Sequence, residues 1–168
     1  MLKGKHVDLE LDILKLPLVE FIKIKGLQIR NFMRMQDTKT LVELFNTIWK
    51  ESEGPAITLT EEIANQLPID HVLLADFNGQ PIGFIIFDVI EEKGEKRGII
   101  RFIGVLKEYR GKKIASAMAF RAGENLIRYG IKKIKIFIPE KNQNALDFIK
   151  FFGFEKKKVI EYSPEFPT

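Results

Sequence analysis

Near the N-terminus, Val7, Leu9, Leu11 and Ile13 alternate with charged residues, which is the two-residue period of a half-buried strand. Pro17 interrupts the pattern. Val19 to Ile24 reads as a second extended segment, so residues 1–26 are expected to form an N-terminal β-hairpin extension. Leu27 to Phe32 is another short strand. Thr40-Leu-Val-Glu43 matches a capping box, in which Thr and Glu side chains satisfy the free N–H groups at a helix start; Leu41, Leu44, Phe45 and Ile48 then share one stripe. A second box, Thr58-Leu-Thr-Glu61, opens a short helix that must stop before Pro68.

The period then shortens again. Val72 to Ala75 leads through Asn78-Gly79, a strong hairpin signal, into Ile82 to Ile90. A charged turn from Glu91 to Arg97 returns the chain into Ile99 to Leu106. Past Gly111, Ile114, Met118, Ala122 and Leu126 recur every four residues, predicting a helix that ends near Gly130. Ile134, Ile136 and Ile138 alternate with Lys in a strand. Asn142 to Phe152 carries Ala145, Phe148, Ile149 and Phe152 on one helical face and is stopped by Gly153. Phe154 to Tyr162 closes the chain as a strand. The order predicts an α/β protein of the α+β type, a mixed and mostly antiparallel sheet flanked by helices, with residues 1–26 as an extension and 27–168 as the domain.

The 168 residues amount to about one domain. With 45% hydrophobic and 30% charged residues, 7 Pro and 12 Gly, disorder is excluded and a packed core expected. No Cys is present, which removes disulfides, thiolate chemistry and Cys-based zinc sites. The longest uncharged stretch, Phe77 to Phe87, is broken by Gly, Pro and Asn and falls short of the ~18 apolar residues a membrane helix needs. The N-terminal segment lacks a signal-peptide apolar region. A soluble, cytoplasmic protein without membrane contact is expected. Net charge is +4, suited to an anionic ligand. The basic clusters are short, Lys112-Lys113 and Lys156 to Lys158, so a nucleic-acid partner is not expected; the second cluster reads as the solvent face of a strand.

Chemistry concentrates after the third meander strand, in Gly104-Val-Leu-Lys-Glu-Tyr109-Arg110-Gly111-Lys112-Lys113-Ile114-Ala115. A strand ends, a short loop with Arg, Gly and two Lys follows, and a long helix starts at once. The first N–H groups of a helix lack intrahelical partners and lie at the positive end of its dipole. Such a loop is either a pyrophosphate cradle or a β-to-α turn whose basic residues face water.

A second feature separates these readings. The segment resembles the acetyl-CoA loop of the GCN5-related N-acetyltransferase (GNAT) superfamily, Arg/Gln-x-x-Gly-x-Gly/Ala, here Arg110-Gly-Lys-Lys113-Ile-Ala115. Further on, the family's Asn-x-x-Ala-x-x-x-Tyr-x-x-x-Gly-Phe is matched by Asn142-Gln-Asn-Ala145-Leu-Asp-Phe-Ile149-Lys-Phe-Phe-Gly153-Phe154. The resemblance covers all but the first 26 residues. It implies the GNAT fold and acetyl-CoA as the cofactor. Ile103, Gly104 and Val105 would run beside the pantetheine. N–H groups from Gly111 through Lys112, Lys113, Ile114 and Ala115 to Ser116 would hold the pyrophosphate beside Arg110. Asn142 would bond the cofactor where the sheet splays between Ile99–Leu106 and Ile134–Ile138, the fourth and fifth core strands.

Three positions depart from the family. Lys113 replaces a usual Gly, a change tolerated if it behaves as a helix residue with its side chain outward. Ile149 replaces a Tyr that protonates the leaving thiolate. Phe137 stands where ribosomal-protein acetyltransferases carry a Glu base. The remaining catalytic candidates are Glu51 and Glu53, in the loop bordering the family's acceptor site, then Tyr162, with Asp88 and Glu91 beside the meander. Tyr109 and Trp49 are expected to pack, and His6 and His71 to be structural or exposed. Arg101 interrupts an apolar strand and is expected to pair with Asp88 or Glu91, or else with an acidic group on the substrate. The expected activity is acetyl transfer to a primary amine by direct attack on the thioester, with a catalytically weakened acyl-CoA-binding module as the alternative. A homodimer is expected to cover the free strand edges.

Overall fold

A computed structural model of the chain describes residues 4–15, 24–51 and 57–167. It contains strands β1 (Gly4–Asp12), β2 (Leu27–Asn31), β3 (Val72–Phe77), β4 (Gln80–Glu92), β5 (Glu95–Val105), β6 (Lys133–Pro139) and β7 (Glu155–Tyr162), and helices α1 (Arg34–Lys50), α2 (Glu61–Gln66), α3 (Ile114–Arg128) and α4 (Gln143–Phe152). The strands form one seven-stranded sheet in the order β2-β3-β4-β5-β6-β1-β7. Every neighbouring pair is antiparallel except β5 and β6.

Two tight turns set the meander. Asn78-Gly79 and Lys93-Gly94 all have positive φ, the two-residue hairpin geometry that matches strand twist. β4 and β5 therefore extend to Glu92 and from Glu95, and most of the expected charged turn is strand.

The first helix starts earlier than the capping box at Thr40 predicts. Asp37, inside the first turn, accepts the Met33 N–H at 2.8 Å. It also takes two bonds from Arg30, at 2.7 and 3.0 Å, while Arg30 Nε bonds Asp76 at 2.6 Å. A carboxylate from the helix thus does the work of a cap, and Thr40 sits mid-helix. In α2 the cap is Thr60 rather than Thr58: its Oγ1 accepts the Ile63 N–H at 3.2 Å.

Each sheet face carries its own core. On one, Met118, Ala122 and Leu126 of α3, which lies over β2 to β5, share a core with Leu146 and Ile149 of α4 and with the apolar residues of β1 and β6. On the other, α1 and α2 pack Leu41, Phe45, Ile48 and Leu67 against Leu74, Phe84 and Phe102. The C-terminal segment adds Phe166, 4.7 Å from the Phe102 ring.

The N-terminal strand corrects an expectation. β1 is not an extension beside the domain; it lies inside the sheet, paired to β6 from His6↔Pro139 to Asp12↔Lys133 and to β7 from Gly4↔Tyr162 to Glu10↔Glu155. The second half of the expected hairpin falls mostly outside the described residues. Val7, Leu9, Leu11 and Ile13 are buried in the α3–α4 core. Of the alternating charges Asp8 is buried and Glu10 half-buried, because partners arrive from distant strands. Asp8 and Glu92 both bind Lys135 Nζ, at 3.1 and 2.9 Å, and Glu10 binds Arg97 at 2.7 Å. Burial works against the Lys135 ammonium, but Glu92 and Asp8 hold its pKa above the ordinary value. Lys156 to Lys158 are exposed on β7, as expected, where charges protect a sheet edge from pairing.

Candidate active site

β5 and β6 share a ladder only over Gly98–Ile100 and Ile134–Ile136. Beyond that the strands separate. A bulge helps: Ile86 faces Phe102 and Phe87 faces Ile100, so Arg101 is the extra residue on β5. Bulges bend a strand and re-aim its side chains. The separation opens a cleft of about 660 Å³.

Most residues predicted for cofactor binding meet at this cleft. Ile103, Gly104 and Val105 form one wall; Arg110, Gly111, Lys113, Ile114 and Ala115 form its mouth; Asn142 stands opposite. Lys112 and Ser116 lie outside the lining. The Val105 carbonyl is already engaged, accepting from Arg110 Nε at 3.0 Å, and Arg110 reaches Glu51 at 3.9 Å. Asn142 caps α4 by accepting the Ala145 N–H at 3.2 Å, which leaves its amide NH₂ as the donor end.

Lys113 does not behave as a helix residue. It is the N-cap of α3, left-handed with φ 64° and ψ 20°. Here the position usually held by Gly keeps the backbone shape Gly favours, with a Lys in it. The first bond into the helix runs from Ala117 N to Lys113 O at 3.1 Å, so the N–H groups of Ile114, Ala115 and Ser116 precede the intrahelical ladder. The first turn of α3 has no acidic residue. With Gly111 at φ 81° and open space where its Cβ would stand, this helix start suits an anion electrostatically and sterically.

The far end of the cleft is polar. Arg101 meets Asp88 at 3.4 Å, Glu165 at 3.6 Å and the Tyr162 hydroxyl at 3.4 Å. The expected Asp88 pairing is therefore present, and Glu91 is exposed. Burial works to raise the Asp88 carboxyl, yet His71 at 3.4 Å, the Val89 N–H and Arg101 hold it below the ordinary range. Burial pushes the Tyr162 hydroxyl up, against the pull of Arg101, so it keeps its proton at neutral pH.

Sequence reasoning missed His6. It is 2% exposed, donates from Nδ1 to the Gly4 carbonyl at 2.9 Å, and packs edge-on against Tyr162 at the cleft. Since a carbonyl only accepts, Nδ1 carries the hydrogen. Only the insertion of β1 between β6 and β7 brings His6 there, and no local motif signals it. Glu51 lies at the mouth, exposed; Glu53 lies outside the described residues. Trp49 stacks on Phe45 and also lines the cleft, and Tyr109 packs on Phe77. Phe137 lies against Tyr162 at 4.4 Å, and Ile149 is buried in the core.

A sheet that splays beside a helix start whose first N–H groups precede the helical ladder forms a cleft suited to an anion on an α+β scaffold. Comparison with known proteins makes the class specific. The model of the acetyltransferase (GNAT) family matches residues 38–154, and the chain belongs to that family. An uncharacterized N-acetyltransferase of Methanocaldococcus jannaschii is 30% identical over 95 residues, 55% of this chain and 42% of that protein. Among solved structures, a GCN5-related N-acetyltransferase from Sphaerobacter thermophilus superposes with a TM-score of 0.68 at 16% identity, over 95% of this chain and 50% of that one. Arabidopsis thaliana Naa50, in complex with a bisubstrate analogue, gives 0.65 at 22% identity over 84% and 93%. An aminoglycoside acetyltransferase from an uncultured soil sample gives 0.67 at 16% over 84% and 97%. The chain thus spans half or less of the first two proteins, and the structural likenesses show the shared fold.

Proposed function

We propose that the chain is an acetyl-CoA-dependent N-acetyltransferase that moves an acetyl group to a primary amine of a protein or small molecule. The observation that carries the reading is the cleft between β5 and β6 opening onto the unpartnered start of α3. Main-chain groups of Ile103 to Val105 lie beside the pantetheine, and the N–H groups from Gly111 to Ser116 hold the pyrophosphate. Arg110, Lys112 and Lys113 add positive charge, and the Asn142 amide donates to the cofactor. Peptide and aminoglycoside acetyltransferases of the same fold support an amine acceptor.

In this reading the neutral amine attacks the thioester carbonyl; the N–C bond forms and the C–S bond breaks. Glu51 or Glu53 takes the proton shed by nitrogen through water, and Tyr162 protonates the departing thiolate. Only an unprotonated amine attacks, and free amines lie near pKa 10.4 for Lys and about 7.7–8.0 for an α-amine. Orientation in the cleft supplies much of the rate, up to ~7–11 kcal/mol in well-aligned cases. Dependence on acetyl-CoA, an intracellular metabolite, supports a cytoplasmic location. Among the described residues β2 is an edge strand, which supports a homodimer, and sedimentation showing only monomer at high concentration would refute that part.

CoA at a hundred times its Kd stabilises by about 2.7 kcal/mol, raising Tm by roughly 5–11 °C in a chain of this size. Gly111→Val, which puts a β-branched residue at a left-handed position beside the phosphates, is expected to remove that shift. A wild-type protein that CoA does not stabilise would overturn the assignment.

A further inference from the structure

A second, smaller cavity continues from the cleft. It measures about 140 Å³ and shares Ile103, Gly104, Ala115 and Phe148 with the larger space. It then runs inward between α3 and α4, closed by Ala119, Ile149, Phe152 and Phe154. Its side chains are all hydrocarbon. Ala115 and Ala119 on α3 and Ala145 on α4 keep it open, since any larger residue there would occupy it.

The chemistry of this space selects its guest. Burying an amide or a phosphate without a partner is costly, so the polar arms of a CoA ester stay in the larger cleft. Water gains nothing in a wholly apolar hole: a comparable cavity of about 150 Å³, lined by Leu, Ile and Phe, stays dry and takes up benzene. The part of an acyl-CoA free of polar groups is the acyl chain. Ile149 stands beside the space with no hydroxyl to contribute, a second apolar wall where the related motif has Tyr.

We propose that the inner cavity is an acyl-chain site and that the chain, besides acetyl-CoA, takes donors of four to six acyl carbons and binds them more tightly. This rests on the acyl-CoA reading of the cleft. The transfer is unchanged in kind: the amine nitrogen bonds the acyl carbon and sheds its proton to Glu51 or Glu53 through water, the C–S bond breaks, and CoA leaves as the thiol with the proton given by Tyr162.

The test is calorimetric titration of the full chain with CoA, acetyl-CoA, butyryl-CoA and hexanoyl-CoA, which needs no acceptor. Each buried methylene tightens binding about fourfold, so butyryl-CoA is expected to bind at least tenfold more tightly than acetyl-CoA. Ala119→Leu, which fills the cavity, is expected to cut the butyryl-to-acetyl affinity ratio to near one. Phe152→Ala, which enlarges it, is expected to move the preference toward hexanoyl-CoA. If the wild type binds CoA and all three esters alike, or loses affinity beyond acetyl, the acyl-chain site is refuted while the cleft assignment stands. If CoA itself does not bind, the cleft assignment fails and the acyl site with it.

Discussion

Leu9→Ala tests whether the N-terminal strand is part of the core. Leu9 is 0% exposed and paired on both sides, opposite Ile136 of β6 and Lys156 of β7. It packs among the residues that α3 and α4 cover. Truncating a buried Leu costs about 2–5 kcal/mol, the transfer term plus the hole left behind. The strands on either side are held by their own ladders and cannot close over the gap, which puts the cost near the upper half of that range. Native domains hold only about 5–15 kcal/mol in all, so one methyl cluster on β1 carries a large share. In a chain of this size Tm should fall by roughly 6–20 °C. Urea unfolding followed by far-ultraviolet dichroism reads the loss directly, with an unchanged slope showing that the variant reaches the same folded state. Deletion through Asp12 removes Val7, Leu9 and Leu11 together and should leave the chain unfolded. A loss below about 1 kcal/mol for Leu9→Ala would contradict burial of this kind, and β1 would then be a peripheral strand.

Lys113→Gly should stabilise by about 0.5–1 kcal/mol, since a non-Gly residue at left-handed φ costs ~1–2 kcal/mol and the entropy of Gly returns part of it; a lower Tm would refute the strain. Tyr162→Phe keeps the ring against His6 and Phe137 but removes the hydroxyl proposed as proton donor, so kcat should fall by roughly 10²-fold or more with CoA affinity retained; unchanged kcat would remove Tyr162 from the chemistry. Arg30 holds the Asp37 carboxyl below the ordinary carboxylate range, Lys135 does the same for Glu92, and Asp88 is held down by His71 despite burial. Their contribution is therefore complete above about pH 4 and lost as pH falls through the depressed native values. Urea midpoints measured down to that acid range should drop, and Asp37→Asn should flatten the acid limb; an equal limb in that variant would contradict the role given to Arg30.

Much of this was legible in the chain because local rules agreed with the fold. Asn78-Gly79 turned the meander, the four-residue spacing from Ile114 marked α3, and Gly153 ended α4 at φ 112°. The loop at Arg110 and the motif from Asn142 located the cleft because both depend on contiguous residues. Other features rest on distant partners. β1 reads as a half-buried strand of a hairpin extension because Asp8 and Glu10 alternate with its apolar residues; only Lys135 and Arg97, far along the chain, let those charges enter the middle of the sheet. His6 reached the cleft for the same reason. The start of α1 was misplaced because Asp37 caps it from within the helix, held by Arg30 of the preceding strand. Lys113 kept a left-handed backbone that its residue type conceals.

The central claim is acyl transfer from CoA to an amine, and one measurement tests it most directly. The purified chain, incubated with acetyl-CoA and pooled primary amines (peptides, polyamines and aminoglycosides), is analysed by mass spectrometry for amines heavier by one acetyl group. The account predicts acetylated products that require the chain, acetyl-CoA and an added amine together, and that are lost in Gly111→Val. Release of free CoA at the same rate with and without amine, and no acetylated amine, would contradict it.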